Sequence, residues 1–534
     1  MKINTPLFLL TLSLFMTGAA GLITEYILAT VSSYILGSSI EQFSITMAIM
    51  MGFMGLGGFM QKYVNDENLI VKFIILELCL AILSSFSPIA IYAAFGLDNF
   101  NLIYYFFTAS IGFLVGFEIP FITRINTKYT ENLKENLSWV FSMDYLGAMI
   151  GGAIVWTIFL LPHVPLTQIG FIVASFNLMI AVITFYYFSK EYNLPRKLFT
   201  FIFIGVFALF VVSYYNVLDW AKVLEQKMYS DKIVDSKITK YQNIVITKNQ
   251  KTNDVRLYLS GNTQMSSTDE VRYHELLVHP VMNFEKSNKN VLVFGGGDGL
   301  AVRELKKYEN NSITLVDIDK EMIAFSKTNK YLSKLNENAF DDFKEIDMFK
   351  LEEAKKYLNS PNIAGNHILY SDANTFLNGF IYSERVKKYD IVIIDLPDPR
   401  NLQLNKLYTV QFYKKLRLLM SENGRVVIQS TSPYYAKEAF LMIGRTLESS
   451  GFNTYPYQHD IPSFGNWGWW IGSKVAINPK DVIISVKTQY INDALFKGSL
   501  AFGNGALDSK RTDINSLMEP KLMQIYNTES WKLY

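Results

Sequence analysis

A helical membrane domain of several spans, followed by an α/β domain of the doubly wound type with a small β-rich lobe at its start, is the fold class this sequence predicts. Three observations predict it. Almost all the long apolar runs lie before residue 217. After about residue 290, short apolar runs alternate with helical stretches, as in a parallel sheet covered by helices. The first of those runs, Val291–Phe294, leads directly into the glycine-rich turn Gly295-Gly296-Gly297-Asp298-Gly299.

Taken in order, residues 1–216 contain seven apolar stretches, roughly 6–31, 40–61, 69–95, 101–123, 139–161, 166–188 and 198–216. Each can cross a hydrocarbon core of about 30 Å. The first is too long for a signal peptide's apolar region, so it is expected to be retained. Gly52, Gly55, Gly57 and Gly58, then Gly147, Gly151 and Gly152, offer small faces for close helix packing. Glu25, Glu77, Glu118 and Asp144 fall in or near the spans. Charges at membrane depth are costly, so these side chains either sit near the interfaces or hydrogen-bonded and neutral, or line an acidic path for a cationic solute. Lys2, Lys62, Lys72, Arg124, Lys128, Lys134, Lys190, Arg196 and Lys197 all fall on one side of a seven-span arrangement. The opposite short loops, near 32–39, 96–100 and 162–165, carry neither Lys nor Arg. By the positive-inside rule the N-terminus is cytoplasmic and the C-terminal half outside, whereas an even number of spans would return that half to the cytoplasm.

Residues 217–232 read as a polar–apolar connector with interfacial helical character. From 233 to 284 the pattern is β-rich: Ile238–Lys248 and Val255–Leu259 read as strands about the turn-prone Asn249–Asp254. From 285 to 475, strands are expected at Val291–Phe294, Ile313–Val316, Ile368–Tyr370, Ile391–Ile394 and Val426–Gln429, in a Rossmann-like, methyltransferase-type domain. Residues 476–534 form an extension with no legible role.

Ligands of such sheets bind beyond the carboxyl ends of the strands. Asp298, Asp317, Asp372, Asp395, Asp398 and Gln429 fall there. An aspartate after a strand is also a common turn former or helix N-cap. Five on successive strand ends favour a ligand that brings positive charge, polycationic or carrying amines and a sulfonium. Asp298 is unusual because it sits inside the glycine turn, where it would repel phosphate or carboxylate. Asp317, about twenty residues on, stands where doubly wound sheets bind ribose hydroxyls. The net charge of +2 gives no argument for nucleic acid as a partner. The single cysteine, Cys79, excludes a disulfide framework and a cysteine metal cluster, and the five histidines are scattered, so no metal site is expected. No Gly-x-Ser-x-Gly elbow points to a serine hydrolase.

With these residues in view, the stretch from Tyr241 to Ser473 resembles the spermidine synthase (polyamine aminopropyltransferase) family. The matching motifs occur in order: Tyr241-Gln242-Asn243-Ile244; Gln264, then Asp269-Glu270-Val271-Arg272-Tyr273-His274-Glu275; Gly295-Gly296-Gly297-Asp298-Gly299, followed by Arg303-Glu304; Asp372-Ala373; and Asp395-Leu396-Pro397-Asp398-Pro399. The resemblance implies transfer of an aminopropyl group from decarboxylated S-adenosylmethionine, as co-substrate and without a cofactor, to putrescine. It implies that Asp298 pairs with the donor's ammonium tail and Asp317 with the ribose. Asp372 with Ala373 would contact adenine, and Gln242 and Gln264 would hold the thioadenosine part. Asp395 would take the proton from the attacking amine, Asp398, Tyr273 and His274 would orient that amine, and Gln429 would line the same cavity. Several positions depart from the soluble members. Ser260 stands for an aspartate and Asp317 for a glutamate; Arg400–Asn405 lacks a Gly-Pro, and Ile461-Pro462-Ser463-Phe464-Gly465 lacks a tyrosine. Asn405-Lys406-Leu407-Tyr408 and Ser432-Pro433-Tyr434-Tyr435 look like the membrane-attached branch. Donor availability favours a cytoplasmic synthase half, against the count of basic residues, and the likeness to soluble oligomers makes homo-oligomerisation an expectation. Two alternatives stay open: a polyamine exporter whose soluble half senses or supplies its cargo, and a methyltransferase, which Asp298 and the Asp395/Asp398 pair disfavour.

Overall fold

The computed structural model describes the chain apart from residues 1–4, 37–38, 95–99, 130–131, 191–194, 285–288, 310, 359–364, 382–387 and 531–534. Lys2, most of the 96–100 loop and the last four residues of the extension therefore lie outside the described residues. The chain forms two compact units, Met1–Ser230 and Asp231–Tyr534.

The first unit is helical: α1 (Thr5–Leu36), α2 (Ser39–Met60), α3 (Leu69–Ala94), α4 (Phe100–Asn126), α5 (Leu133–Ile150), α6 (Leu166–Phe188) and α7 (Arg196–Gln226). Helix α5 continues as a π-helix over Gly151–Leu160. Among the described residues, seven helices are long and apolar enough to cross a membrane, by length and composition. Helix α7 runs ten residues past Asn216, into the expected connector, because neither glycine nor proline interrupts Val217–Gln226. The glycines divide. Gly57 meets the backbone of Phe113, Gly151 that of Ala19, and Gly147 that of Phe15, so any side chain there would separate the helices. Gly52 and Gly55 have no neighbour within 4 Å, because they lie on the side of α2 away from Gly57. Glu25, Glu77 and Glu118 are buried at 7%, 0% and 2% exposure, so their side chains are covered by the protein itself.

The second unit opens with a four-stranded antiparallel sheet in sequence order, β1 (Lys232–Ile238), β2 (Asn243–Lys248), β3 (Val255–Leu259) and β4 (Asn262–Ser266). The expected single strand Ile238–Lys248 is two strands. Thr239 Oγ1 accepts the backbone N–H groups of Tyr241 and Gln242, both at 3.1 Å, and turns the chain between them. Strand β4, not expected, is paired to β3 through Ser260 and Gly261, at φ 48° and 80°. Two successive positive φ values are what a two-residue hairpin of this hand requires.

An eight-stranded sheet follows, in the order β11-β12-β10-β9-β5-β6-β8-β7. Its strands are β5 (Asn290–Gly295), β6 (Ser312–Asp317), β7 (Lys344–Asp347), β8 (His367–Tyr370), β9 (Tyr389–Asp395), β10 (Met420–Gln429), β11 (Asn453–Ile461) and β12 (Gly465–Ser473). Strands β5 to β10 pair in parallel and the β11–β12 hairpin closes one edge antiparallel. Helix α8 (Glu270–Met282), within the expected lobe, packs instead against β9 and β10 of this sheet. The interior strands are buried on both faces: Leu292, Phe294, Val392 and Ile394 enter one core and Val291, Val293, Ile391 and Ile393 the other. From β5 the order runs to β6 on one side and to β9 on the other. The crevice between their carboxyl ends is the position at which an open α/β sheet holds its ligand.

Candidate functional site

The glycine turn starts where β5 ends, and Asp395 ends β9 beside it. Gly295, at φ 78°, lies against the carbonyl of Asp395, and a β-carbon at Gly297 would stand 2.8 Å from Asp317 Oδ2. Glycine is required at both: at the first by conformation and contact, at the second by the approach of a carboxylate. Asp298 is half-buried and its Oδ1 accepts the N–H of Leu300 at 3.0 Å, at the start of α9 (Leu300–Leu305). Its backbone carbonyl is held by Asn336 Nδ2 at 2.8 Å.

Helix α8 delivers Tyr273 and His274 to the same crevice. The Tyr273 hydroxyl donates to Asp395 Oδ1 at 2.7 Å. His274 Nδ1 bonds the carbonyl of Glu270 at 2.8 Å and its Oε2 at 3.1 Å. Burial lowers the His274 pKa, but the Glu270 bond and the charges of Asp298 and Asp395 outweigh it and raise it to about 9, so the ring is an imidazolium at neutral pH. Burial pushes Asp395 up and Asp298 adds to that, while His274 and the tyrosine bond pull it down; the net value is about 6. A carboxylate raised in this way is a stronger proton acceptor than an ordinary aspartate and is still ionised at neutral pH.

Asp317, on the other side of the turn, is pushed up to about 7 by burial, against the bond from the Asp319 N–H at 2.8 Å. Gln242 is a neighbour of this group through Asp319, to whose Oδ2 it donates at 3.0 Å. Gln264 is half-buried on β4. Asp372 differs from the other strand-end acids because it has a cation: Lys406 Nζ lies 2.7 Å from Oδ2, and Oδ1 accepts the Thr375 N–H at 3.0 Å. Burial pushes its pKa up, but Lys406 and Thr375 outweigh that and hold it below the usual range. Ala373, next to it, is 7% exposed and begins the following helix.

Asp398 is 6% exposed, and two neutral donors hold its carboxylate. Gln429 Nε2 reaches Oδ1 at 3.2 Å, and the Tyr526 hydroxyl reaches Oδ2 at 2.7 Å. Gln429 also bonds the Tyr408 hydroxyl at 3.2 Å, so it fixes Asp398 from the end of β10. Tyr526 has no precedent in the sequence motifs, since it comes from the extension at 476–534 whose role was not legible. That extension is built into the unit. Glu275 caps the N–H groups of Gln489, Tyr490 and Ile491, and Asn515 donates to the carbonyl of Tyr408 at 3.0 Å. Asp269, from the Asp-Glu motif, holds the hairpin tip by accepting from the Ser463 N–H and hydroxyl at 2.6 and 2.9 Å.

Behind the site, Arg303 forks onto Glu270 at 2.8 and 3.0 Å and bonds Glu304 at 2.9 Å, with both members of the Arg303–Glu270 pair at most 5% exposed. Arg303→Ala strips the fork from buried Glu270, leaving it His274 alone, and removes one of the partners that Glu304 shares with His279 and Lys307, which costs up to about 3–5 kcal/mol. The midpoint of thermal unfolding is therefore expected to fall clearly; an unchanged midpoint would refute this account of the pair. Glu275, His279 and Glu304 have ligand atoms within 4.8 Å of one another. Those atoms are already committed, His279 to Glu304 at 2.9 Å and to Tyr308 at 2.8 Å, and Glu275 to the extension, so the cluster is an ionic brace.

The spermine/spermidine synthase domain matches residues 270–481. A polyamine aminopropyltransferase of Aquifex aeolicus is 35% identical over 98% of this chain and 99% of its own length. This chain belongs to the polyamine aminopropyltransferase family. A second family member, from Oceanobacillus iheyensis, is 34% identical over 96% of both chains. A solved spermidine synthase in complex with the transition-state analogue AdoDATO is 24% identical over 52% of this chain and 88% of its own, with a TM-score of 0.42. Aminopropyltransferases of this family are transferases that use decarboxylated S-adenosylmethionine as a substrate and no metal cofactor. The matches give the export alternative no support.

Proposed function

We propose that this polyamine aminopropyltransferase joins the aminopropyl group of decarboxylated S-adenosylmethionine to putrescine, giving spermidine and methylthioadenosine. The observation that carries the proposal is Asp395, bonded to Tyr273 at the crevice beside the glycine turn, in the field of the Asp298 carboxylate and with Asp398 acting on the same tyrosine. Asp298 and Asp398 are bonded to neutral groups in this structure. Two ammonium groups, one on the donor's tail and one on the acceptor, supply charge that such a site lacks. In this reading Asp317 takes the ribose hydroxyls, and Asp372 and Ala373 border adenine with Lys406 fixing the aspartate. Gln242 and Gln264 hold the thioadenosine part.

The amine nitrogen attacks the methylene next to sulfur, the carbon–sulfur bond breaks, and sulfur leaves as a neutral thioether. Before attack Asp395 accepts a proton from the acceptor's ammonium, which frees the lone pair, and the positive charge lost by sulfur appears on the alkylated nitrogen. Tyr273 fixes the carboxylate, and the His274 imidazolium keeps it ionised. Asp398, held by Gln429, takes the acceptor's far ammonium in this reading, rather than the attacking amine that the resemblance gives it. In-line positioning of two bound reactants lowers the barrier by up to about 7–11 kcal/mol. The seven long apolar helices support a membrane-embedded first unit; a cytoplasmic synthase half is favoured by donor availability, against the count of basic residues.

The test is product analysis of the full-length protein with decarboxylated donor and a panel of diamines. Stoichiometric methylthioadenosine and spermidine from putrescine are expected. Release with cadaverine or longer diamines but not putrescine would overturn the choice of acceptor, and no release with any diamine would overturn the activity. Protease accessibility in sealed vesicles tests the sidedness.

A further inference from the structure

We infer that the C-terminal helix Lys521–Glu529 is the outer wall of the acceptor site: Tyr526 positions Asp398, and Arg400 beyond it limits the acceptor to two ammonium groups. This rests on the aminopropyl-transfer reading and adds the acceptor class and the residues that set it.

Three observations carry it. Tyr526 donates to Asp398 Oδ2 at 2.7 Å while Gln429 holds Oδ1, so rotation of that carboxylate is blocked from both sides. Neither donor is charged. The carboxylate therefore gains no counter-ion from these two partners and, with about two lone pairs per oxygen, keeps acceptor capacity for an ammonium. The helix is fixed by specific bonds and is not merely laid on the surface. The Met523 N–H donates to Asn405 Oδ1 at 3.1 Å, the Leu522 N–H to Asn515 Oδ1 at 3.2 Å, and Asn527 Nδ2 to the carbonyl of Arg400 at 2.9 Å. Leu522, Ile525 and Tyr526 are buried in the core that also contains Phe294 and Ile394.

A cavity of about 490 Å³ is bordered by Asp398, Arg400, Phe464, Trp467, Tyr526 and Asn527. Among the described residues that line it, the only carboxylate is Asp398 and the only cation Arg400. A diamine whose far ammonium stops at Asp398 meets complementary charge. A triamine that extends past Asp398 carries its third ammonium towards a guanidinium, and juxtaposed like charges are rejected. The aromatic rings in the same wall accommodate methylene segments without offering a second anion.

Two variants of the full-length protein test the inference. Tyr526→Phe keeps the ring in the core and removes only the hydroxyl. It is expected to raise KM for putrescine about 10-fold, with kcat changed less than about 3-fold and methylthioadenosine affinity unchanged. An unchanged KM, or a fall in kcat alone, would overturn the positioning role. Arg400→Gln is expected to raise kcat/KM for spermidine relative to putrescine by about 10-fold, and an unchanged ratio would overturn the acceptor limit. Should Tyr526→Phe fail to fold, the Arg400→Gln ratio still decides on the wall. Wild-type protein that releases no methylthioadenosine with any diamine would instead remove the reading on which the inference rests.

Discussion

Asp395→Asn is expected to lower the rate of methylthioadenosine release at pH 7 about 10³-fold while leaving donor affinity nearly unchanged. The magnitude follows from the acceptor. An alkylamine with a pKa near 10.4 has roughly one molecule in 10³ to 10⁴ neutral at pH 7, and only the neutral form carries a lone pair for attack. A carboxylate at hydrogen-bond distance takes a proton from the bound ammonium before attack, so the reaction starts from the abundant ammonium form, and the freed lone pair makes the carbon–nitrogen bond. Asparagine can still accept the Tyr273 hydroxyl, so the substitution removes the base without removing the bond that positions it. The pH profile separates the two enzymes. In the free wild type Asp395 titrates at about 6, and its protonated form cannot accept a second proton. Wild-type kcat/KM is therefore expected to rise with pH through about 6 and then level. The variant, which depends on the free amine fraction, should keep rising well above pH 8. A variant with wild-type rate, or one whose profile still levels above pH 6, would show that the base is another group.

The sequence is legible where function is local to a strand end. Asp298, Asp317, Asp395 and Asp398 each follow an apolar run by one to four residues, and a parallel sheet carries all such ends to one edge. That is why charge at the site can be read without coordinates. The seven apolar helices are legible for a similar reason, since composition over about twenty residues decides them. The misses have a common cause. Strand β7 (Lys344–Asp347) is polar and lies at the sheet edge, where one neighbour and half-exposure suppress the apolar signal. Strand β11 contains Pro456, which an edge strand tolerates and which reads as a breaker in sequence. Gln242 reads as a strand residue, yet it sits at the end of a turn made by Thr239, and that turn directs it to Asp319. Tyr526 is 128 residues from Asp398, and nothing around it announces the contact. Lys406 on Asp372 is likewise a tertiary pairing; it shows that a row of aspartates legible in sequence need not be a row of free carboxylates.

The same distinction makes Asp298 the residue whose replacement should change which donor is chosen. Among the described residues its carboxylate is bonded through Oδ1 to the Leu300 N–H, and the nearby cation, His274, is already shared with Glu270 and influenced by Asp395. A donor tail ending in an ammonium gains a charge-assisted bond there, worth about 1.5–3 kcal/mol or roughly 10- to 100-fold. Intact S-adenosylmethionine brings a carboxylate to the same turn, where like charge is penalised. Asp298→Asn retains the shape and an acceptor for Leu300 and removes the charge. It is expected to weaken binding of the decarboxylated donor by about 10- to 100-fold while intact S-adenosylmethionine binds as well as or better than before. Calorimetry with both compounds on wild type and variant measures the ratio directly. A ratio that does not move would mean that the donor's tail lies elsewhere, and that the acid inside the glycine turn serves only to cap the helix that begins at Leu300.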